Sequence, residues 1–201
     1  MAHPMLEFWF DFASTYSYLS AVRVRALAQA ANVALRFKPF LLGPIFKTLG
    51  WDTSPFSIYE AKGRHMWRDL ERLAADFELP FRRPVTFPQS SLLAARVALV
   101  GLAQGWGEDY SVAIFRAEFE AGERIDDPAT SEAILAGLSV DPRSVLDAAQ
   151  SDDNKARLRS QTEAAQQLGL FGAPSFRTAG GELFWGNDRL EQALDWVKQG
   201  K

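Results

Sequence analysis

The sequence predicts an α/β fold whose sheet is built from both ends of the chain, with an all-helical segment inserted between them. Apolar and polar residues alternate near both ends, which is typical of strands, whereas the long middle part shows helical spacing. A lone two-stranded hairpin is only marginally stable, so we expect the C-terminal strands to extend the N-terminal sheet. We therefore place a sheet-forming unit at residues 1–43 and 169–201, and a helical unit at residues 44–168.

The N-terminal part predicts a strand, a helix and a second strand. Residues 6–12 alternate, with large apolar side chains on one face, and residues 33–40 alternate again. Between them Ser14 or Thr15 is a good N-cap, and Asn32 can end the helix. Two strands joined by a helix over this length form a βαβ unit, so the two strands are expected to be parallel.

The middle part carries several helix signals. Ser54 before Pro55 combines an N-cap with a first-turn proline, and Asp141 before Pro142 repeats that pattern. After the first signal, Met66 opens a stripe of apolar residues at helical spacing. Further helices are predicted at residues 90–104, 107–121, 130–138, 142–150 and 152–168.

The C-terminal part predicts a hairpin followed by a helix. Residues 175–178 and 182–185 are the two strands, joined through a turn that contains two glycines. An amphipathic helix ends the chain. Asn187 or Asp188 is its expected cap, and Asp188 with Glu191 matches the spacing of a capping box.

Composition excludes several classes of protein. The chain has 201 residues, of which 47% are hydrophobic and 23% charged, enough for a packed core. A net charge of −3 argues against a nucleic-acid partner, and the absence of cysteine excludes disulfides and a thiol nucleophile of its own. Two histidines argue against a zinc site. There is no secretory pattern at the start and no run of the ~18 apolar residues that span a bilayer, so we expect a cytoplasmic protein without a membrane partner.

Three segments contain residues suited to binding or catalysis. Ser14 lies at a strand-to-helix turn, where free N–H groups and the helix dipole favour negative charge; by its spacing alone it is an ordinary N-cap. Pro174 follows a glycine and an alanine, and by itself it predicts an ordinary trans proline at the start of a strand. Asn187 and Asp188 begin the last helix, where they can cap it or face a ligand.

Together, these segments carry a resemblance to a known family. They read FDFASTYSYL at residues 10–19, GLFGAP at residues 169–174 and WGNDRL at residues 185–190. Their order and spacing resemble the 2-hydroxychromene-2-carboxylate isomerases and the kappa-class glutathione transferases, within the DsbA-like thioredoxin superfamily. Residues 41–47, 61–70 and 87–96 resemble further shared stretches, so that the likeness covers essentially the whole chain. The resemblance implies a thioredoxin-like fold with the helical domain inserted between its βαβ and ββα halves.

The resemblance also implies roles for individual residues in binding glutathione. Ser14 matches the serine that hydrogen-bonds the glutathione sulfur. Ala173 matches the residue whose backbone pairs with the cysteinyl part, and Pro174 matches the cis-proline after it. Asn187 and Asp188 match the helix start that holds the γ-glutamyl end. Ser14 is also the catalytic residue that the resemblance implies.

Two lysines and three departures complete this comparison. Lys62 matches a lysine that meets the glycyl carboxylate, and Lys47 lies in a similar basic position; both also fit a solvated helix face. Thr15 stands where the family has proline, whereas Trp51 and Ser90 stand where relatives commonly carry asparagine. The Trp51 difference either removes one glutathione contact or reshapes the acceptor pocket.

The resemblance implies a glutathione-dependent isomerase of the aromatic-compound catabolism type, with an aromatic carboxylate as substrate and a homodimer as the assembly. Tyr16, Tyr18 and Trp51 are candidates to line the cleft for that substrate, or they pack in the core. A glutathione transferase or peroxidase would use the same site. A non-catalytic binder or scaffold is a third reading. A disulfide oxidoreductase is excluded, because that chemistry needs a pair of cysteines.

Overall fold

A four-stranded mixed sheet forms the centre of the computed structural model, which describes residues 4–200. The spatial order of the strands is β2-β1-β3-β4. Their bounds are β1 Met5–Phe10, β2 Ala34–Pro39, β3 Ser175–Thr178 and β4 Leu183–Trp185. The sheet therefore unites the two ends of the chain, and the predicted α/β architecture with a helical insertion is confirmed.

Helices surround the sheet and fill the long insertion. Those of the α type are α1 Thr15–Ala31, α2 Leu42–Thr48, α3 Pro55–Ile58, α4 Glu60–Asp76, α5 Leu92–Gln104, α6 Gly107–Arg116, α7 Pro128–Gly137, α8 Pro142–Ala149, α9 Asp152–Gln167 and α10 Leu190–Lys198. A π-helical turn, Ala117–Ala121, continues α6, and a 3-10 turn, Asn187–Arg189, precedes α10. Within residues 4–200, no helix combines the length and the apolar character needed to cross a membrane.

The strand pairing follows the predicted pattern. β1 and β2 are parallel, with Phe8 opposite Phe37, as the βαβ prediction requires. β1 and β3 are antiparallel, with Phe8 opposite Phe176, and β3 pairs antiparallel with β4 as a hairpin. Since β3 follows β1 by more than 160 residues, this pairing closes the fold.

The alternation in β1 separates two apolar clusters. Phe8 and Phe10 belong to the larger cluster, which α1, α5 and α6 also supply, and their rings lie 4.9 Å apart. Trp9 points to the other face, where it packs against Phe40 beside α2 and α9. The larger cluster mixes residues from the sheet and from the insertion, for example Phe10 against Phe115 at 5.8 Å. The division into two units at residues 43/44 and 168/169 stays a prediction.

Most of the predicted helix ends are confirmed. Ser14 caps α1, and Asn32 ends it in the left-handed conformation. The two cap-plus-proline signals begin α3 and α8 as predicted, and a third, Asp127 before Pro128, starts α7 two residues before the predicted helix.

The predicted cap of the last helix is wrong. α10 begins at Leu190 after a 3-10 turn, and no side chain caps it. The amide oxygen of Asn187 accepts hydrogen bonds from Ser20 and Arg23 instead, and Glu191 pairs with Arg23. Asn187 and Glu191 thus bond to residues of α1, which are distant in sequence, instead of capping their own helix.

Phe8 is expected to be critical for stability because its ring is fully buried between those of Phe10, Phe37 and Phe176. We expect Phe8→Ala to lower the free energy of unfolding by about 3–5 kcal/mol, measured by urea denaturation. Val85→Ala is the control, because that side chain is almost fully exposed and its loss should change stability little. Equal effects of the two variants would contradict this account of the core.

Candidate active site

The turn between β1 and α1 carries Ser14 at the start of a helix. Its hydroxyl oxygen accepts a hydrogen bond from the Ser17 N–H at 3.3 Å, which is the capping bond. The backbone of the turn closes through the Ser14 N–H, which donates to the Asp11 carbonyl at 3.0 Å. The first N–H groups of α1 have no partner within the helix, so this end of α1 favours an anion.

The β1–β3 pairing brings a second segment to this turn. Ser14 Oγ donates to the carbonyl oxygen of Ala173 at 2.9 Å, across 159 residues of sequence. The Ala173–Pro174 peptide bond is cis, as the resemblance implies and as the proline alone did not predict. The Ser14 hydroxyl and the Ala173 carbonyl, which are both predicted to contact the ligand, therefore lie side by side and form a hydrogen bond with each other.

The third segment is joined to the second through the backbone. The Gly186 N–H donates to the Pro174 carbonyl at 3.0 Å, just before the 3-10 turn. Gly186 has a φ of +110°, and a Cβ there would lie 2.4 Å from the Asp188 carboxylate. Glycine suits this position because side chains with a Cβ rarely adopt that positive φ. All three sequence segments converge on the end of β1.

Asn187 and Asp188 differ in what they can offer a ligand. Asn187 is buried and its amide oxygen is occupied by Ser20 and Arg23, so a ligand contact there would use the backbone N–H at the start of the 3-10 turn. The Asp188 side chain is exposed, apart from a 3.6 Å ion pair with Arg189. Its charge is one of the smaller influences that raise the pKa of Tyr16 in the first turn of α1.

The two predicted lysines are exposed on helices of the insertion. Lys47 lies in the last turn of α2, and Lys62 lies in α4 with its ammonium 5.6 Å from the Tyr59 ring. Within residues 4–200 neither lysine has a carboxylate partner. The ring of Trp51 packs against Phe46 of α2 at 5.9 Å, so the residue that departs from the family is tied to the Lys47 helix.

Two tyrosines were candidates to line a cleft. Tyr18 is fully buried and donates to the Pro80 carbonyl at 2.5 Å, so it belongs to the core. Tyr16 is partly buried and donates to Asp69 of α4 at 2.9 Å. Burial and this hydrogen bond to Asp69 raise the pKa of Tyr16, so it stays a neutral phenol at physiological pH.

An exposed aromatic pair flanks the cis-proline segment and was not identified from the sequence. Phe171 is 54% exposed and Trp185 is 55% exposed, and their rings meet edge to face at 4.8 Å. Gly172 lies against the indole, since a Cβ there would approach Trp185 Nε1 to 2.3 Å. Both aromatic residues stand inside the quoted motifs, so their position beside Pro174 was the signal that could have identified them.

A buried acidic pair lies behind the Ser14 turn. Asp11 is 3% exposed and Glu118, in the π-helical turn, is 0% exposed. Neither carboxyl oxygen of Glu118 makes a hydrogen bond of normal geometry within residues 4–200. Burial raises the pKa of Glu118 well above its usual range, the charges of Asp11 and Asp126 add to this, and the Gln89 side chain opposes it.

Together the fold and the converging turn define a thioredoxin-fold protein with serine at the helix start. The chain belongs to the DSBA-like thioredoxin domain family, whose model matches residues 5–198. It is 28% identical over 187 residues to a 2-hydroxychromene-2-carboxylate isomerase of Sphingobium xenophagum, covering 92% of this chain and 94% of that protein. It is 25% identical over 199 residues to glutathione S-transferase kappa 1 of Homo sapiens, and this match covers 92% of this chain and 87% of that protein.

A solved structure also shows the similarity to a 2-hydroxychromene-2-carboxylate isomerase. The structure of a selenomethionine 2-hydroxychromene-2-carboxylate isomerase superposes with a TM-score of 0.85 at 26% identity, covering 97% of this chain and 95% of that one. The cytosolic disulfide reductase DsbM of Pseudomonas aeruginosa, solved with GSH, shares the fold with a TM-score of 0.69 at 20% identity. The relatives at the higher identities are enzymes of two kinds, an isomerase and a transferase.

We expect Glu118→Gln to change how stability depends on pH. The raised pKa means that the folded state holds the proton of Glu118 more tightly than the unfolded state does. The contribution of Glu118 to the free energy of unfolding is therefore fully present below its unfolded pKa of ~4.3, and it is lost as pH rises through the folded pKa. The variant, which carries no charge, should therefore gain stability over wild type between pH 5 and pH 8, by at most about 1.4 kcal/mol per pH unit.

Val85→Ala is the control for this measurement by urea denaturation at several pH values. That side chain is almost fully exposed and carries no charge before or after the change. Its difference from wild type should stay constant between pH 5 and pH 8. A constant difference for Glu118→Gln as well would contradict the buried-acid interpretation.

Proposed function

We propose that this protein is a glutathione-dependent isomerase that interconverts 2-hydroxychromene-2-carboxylate and trans-o-hydroxybenzylidenepyruvate, in the catabolism of aromatic compounds. The hydrogen bond from Ser14 to the Ala173 carbonyl supports this most directly, because it places a hydroxyl donor and a backbone acceptor side by side at the start of a helix. The isomerase of Sphingobium xenophagum, which resembles the chain over nearly its full length, supports the choice of reaction.

The residues present fit glutathione as the bound cofactor. A thiol has its pKa near 8.5, and a hydroxyl donor with a helix N-terminus lowers that value by favouring the anion. The Ala173 carbonyl lies against the Ser14 hydroxyl and suits the peptide N–H next to that sulfur. The start of the 3-10 turn, with Asp188, suits the charged γ-glutamyl end. Lys47 and Lys62 suit the glycyl carboxylate.

When bound there, glutathione would supply a thiolate for reversible addition to a conjugated double bond. The addition would make that bond single and free to rotate, and loss of the thiolate would restore both the double bond and the cofactor. Ser14 donates its hydroxyl proton toward the sulfur and stabilises the anion, giving up its bond to Ala173. The N-terminus of α1 adds the favourable end of its dipole. Lowering the thiol pKa by one unit needs only about 1.4 kcal/mol, which one charge-assisted hydrogen bond supplies.

The aromatic ring of the substrate is assigned to the exposed pair Phe171 and Trp185. Their edge-to-face rings border the cis-proline segment, and more than half of each side chain is open to solvent. Large exposed aromatic groups beside a polar site are typical of ligand contacts. The substrate carboxylate also requires a basic group.

A glutathione transferase is the second candidate function, because kappa-class transferases cover nearly the whole chain at 24–25% identity. The two activities are separated by the fate of glutathione. An isomerase regenerates it, whereas a transferase consumes it in stoichiometric conjugation. Chromatography of the products after many turnovers distinguishes them. Accumulated conjugate without isomerised product would favour the transferase.

We expect Ser14→Ala to reduce kcat/KM of the isomerase by about ten- to a hundredfold, since a hydrogen bond to a charged group contributes about 1.5–3 kcal/mol. Isomerisation is followed by absorbance with saturating glutathione.

Ser151→Ala is the matched control, because Ser151 caps α9 with a bond from Asn154 at 3.2 Å and lies outside the site. Both variants should lose about 1 kcal/mol of stability with the cap, whereas only Ser14→Ala should lose activity. Equal turnover in both variants and wild type would reduce Ser14 to a cap.

We expect Trp185→Ala to raise KM for the aromatic substrate about tenfold while the affinity for glutathione changes less than twofold, because the lost contact is made by the ring of the substrate. Steady-state kinetics and calorimetry with glutathione give the two values. Leu183→Ala, an exposed change on the same strand, is the control. A parallel loss of glutathione affinity would instead assign Trp185 to the cofactor.

A further inference from the structure

Asp11 joins two elements through its side chain. It follows β1 directly, and its Oδ1 accepts from the Ala13 N–H at 3.0 Å while its Oδ2 accepts from the Leu42 N–H at 2.7 Å. Its backbone carbonyl accepts from Ser14 as well. One buried residue thus holds both the Ser14 turn and the first residue of α2.

Among residues 4–200, no other side chain caps the start of α2. Leu41 occupies its N-cap position and has no side-chain acceptor, and the first turn of α2 contains no acidic residue. A carboxylate is the preferred partner for the free N–H groups of a helix start. Asp11 therefore supplies from β1 the cap that the local sequence of α2 lacks.

The elements that Asp11 connects carry two residues assigned to one ligand. Ser14 follows the turn that Asp11 closes, and Lys47 lies in the last turn of α2. We propose that Asp11 is a positioning residue, which clamps α2 to the Ser14 turn so that the Ser14 hydroxyl reaches the sulfur and the Lys47 ammonium reaches the glycyl carboxylate of one glutathione molecule. This inference rests on the proposed function.

The charges around Asp11 agree with this role. Within residues 4–200 the groups that face it are the Ser91 side chain from the start of α5 and the carboxyl group of Glu118 from the π-helical turn. Burial raises the pKa of Asp11, but its two backbone N–H donors and Ser91 oppose that rise, whereas Glu118 makes no hydrogen bond of normal geometry. Hydrogen bonds from backbone N–H groups stabilise the charged form of a carboxyl, so they favour the charge on Asp11 over the charge on Glu118.

Leu42→Pro tests the clamp without removing Asp11. Proline is tolerated at the first position of a helix, and it deletes only the N–H that Asp11 binds. Leu41 before it is already extended, as a residue before proline should be. Leu42→Ala is the matched control, because it loses the same packing but keeps the N–H. We expect Leu42→Pro to bind glutathione about tenfold more weakly than Leu42→Ala by calorimetry.

A second comparison separates positioning from general stability. In a Lys47→Ala background, the difference between Leu42→Pro and Leu42→Ala in glutathione affinity should disappear, because α2 then has no ammonium to place. A purely structural role would leave that difference unchanged and so would overturn the proposal. Asp11→Asn, which keeps the size but loses one acceptor and the charge, should weaken binding at least as much. Asp141→Asn, at the cap of α8, should cost stability alone.

The outcomes distinguish this inference from the proposed function. If wild-type protein shows no saturable binding of glutathione, the proposed function fails and the positioning role fails with it. If wild type binds but Leu42→Pro and Leu42→Ala bind equally, the positioning role alone is refuted. Hydrogen exchange on wild type needs no variant: we expect a protected Leu42 amide, and rapid exchange there would also refute the clamp.

Discussion

The antiparallel pairing of β1 with β3 is the constraint on which the fold and the candidate site both depend. It brings together residues more than 160 positions apart and makes one sheet from the two ends of the chain. At the same end of β1, it puts the Ser14 hydroxyl against the Ala173 carbonyl. Without this pairing the hairpin would have no sheet to extend, and Ser14 and Ala173 would not lie close enough to form their hydrogen bond.

The site combines a surface that favours an anion with an acidic interior. The first turn of α1 presents the positive end of the helix dipole, whereas Asp11 and Glu118 lie buried behind it. A second full negative charge at that depth would oppose a thiolate in front of it, since charges interact strongly where water is excluded. Burial raises the pKa of Glu118 and so favours its neutral form, which limits this repulsion, while the backbone N–H donors of Ala13 and Leu42 stabilise a charge on Asp11.

Local signals in the sequence predicted much of the fold. The alternation of apolar and polar residues identified β1 and β2. A serine or aspartate before proline identified the starts of α3 and α8. Both signals depend only on residues that are close together in the sequence. The resemblance of three short segments predicted the family. The prediction was wrong at the start of α10, where Asn187 bonds to Ser20 and Arg23 of α1, because a distant partner replaced a local one. α2 was missed, since its cap comes from another element.

By itself, the sequence determined which segments are strands and helices, that the chain has no thiol of its own, and that a serine starts the first helix. Periodicity and capping depend on residues a few positions apart, so they can be read along the chain. Only the tertiary structure decided that Asp11 caps α2, that Phe171 and Trp185 form an exposed pair, and that Tyr18 is fully buried while Tyr16 is only partly buried. Those outcomes depend on which distant surfaces pack together, and no local pattern encodes them.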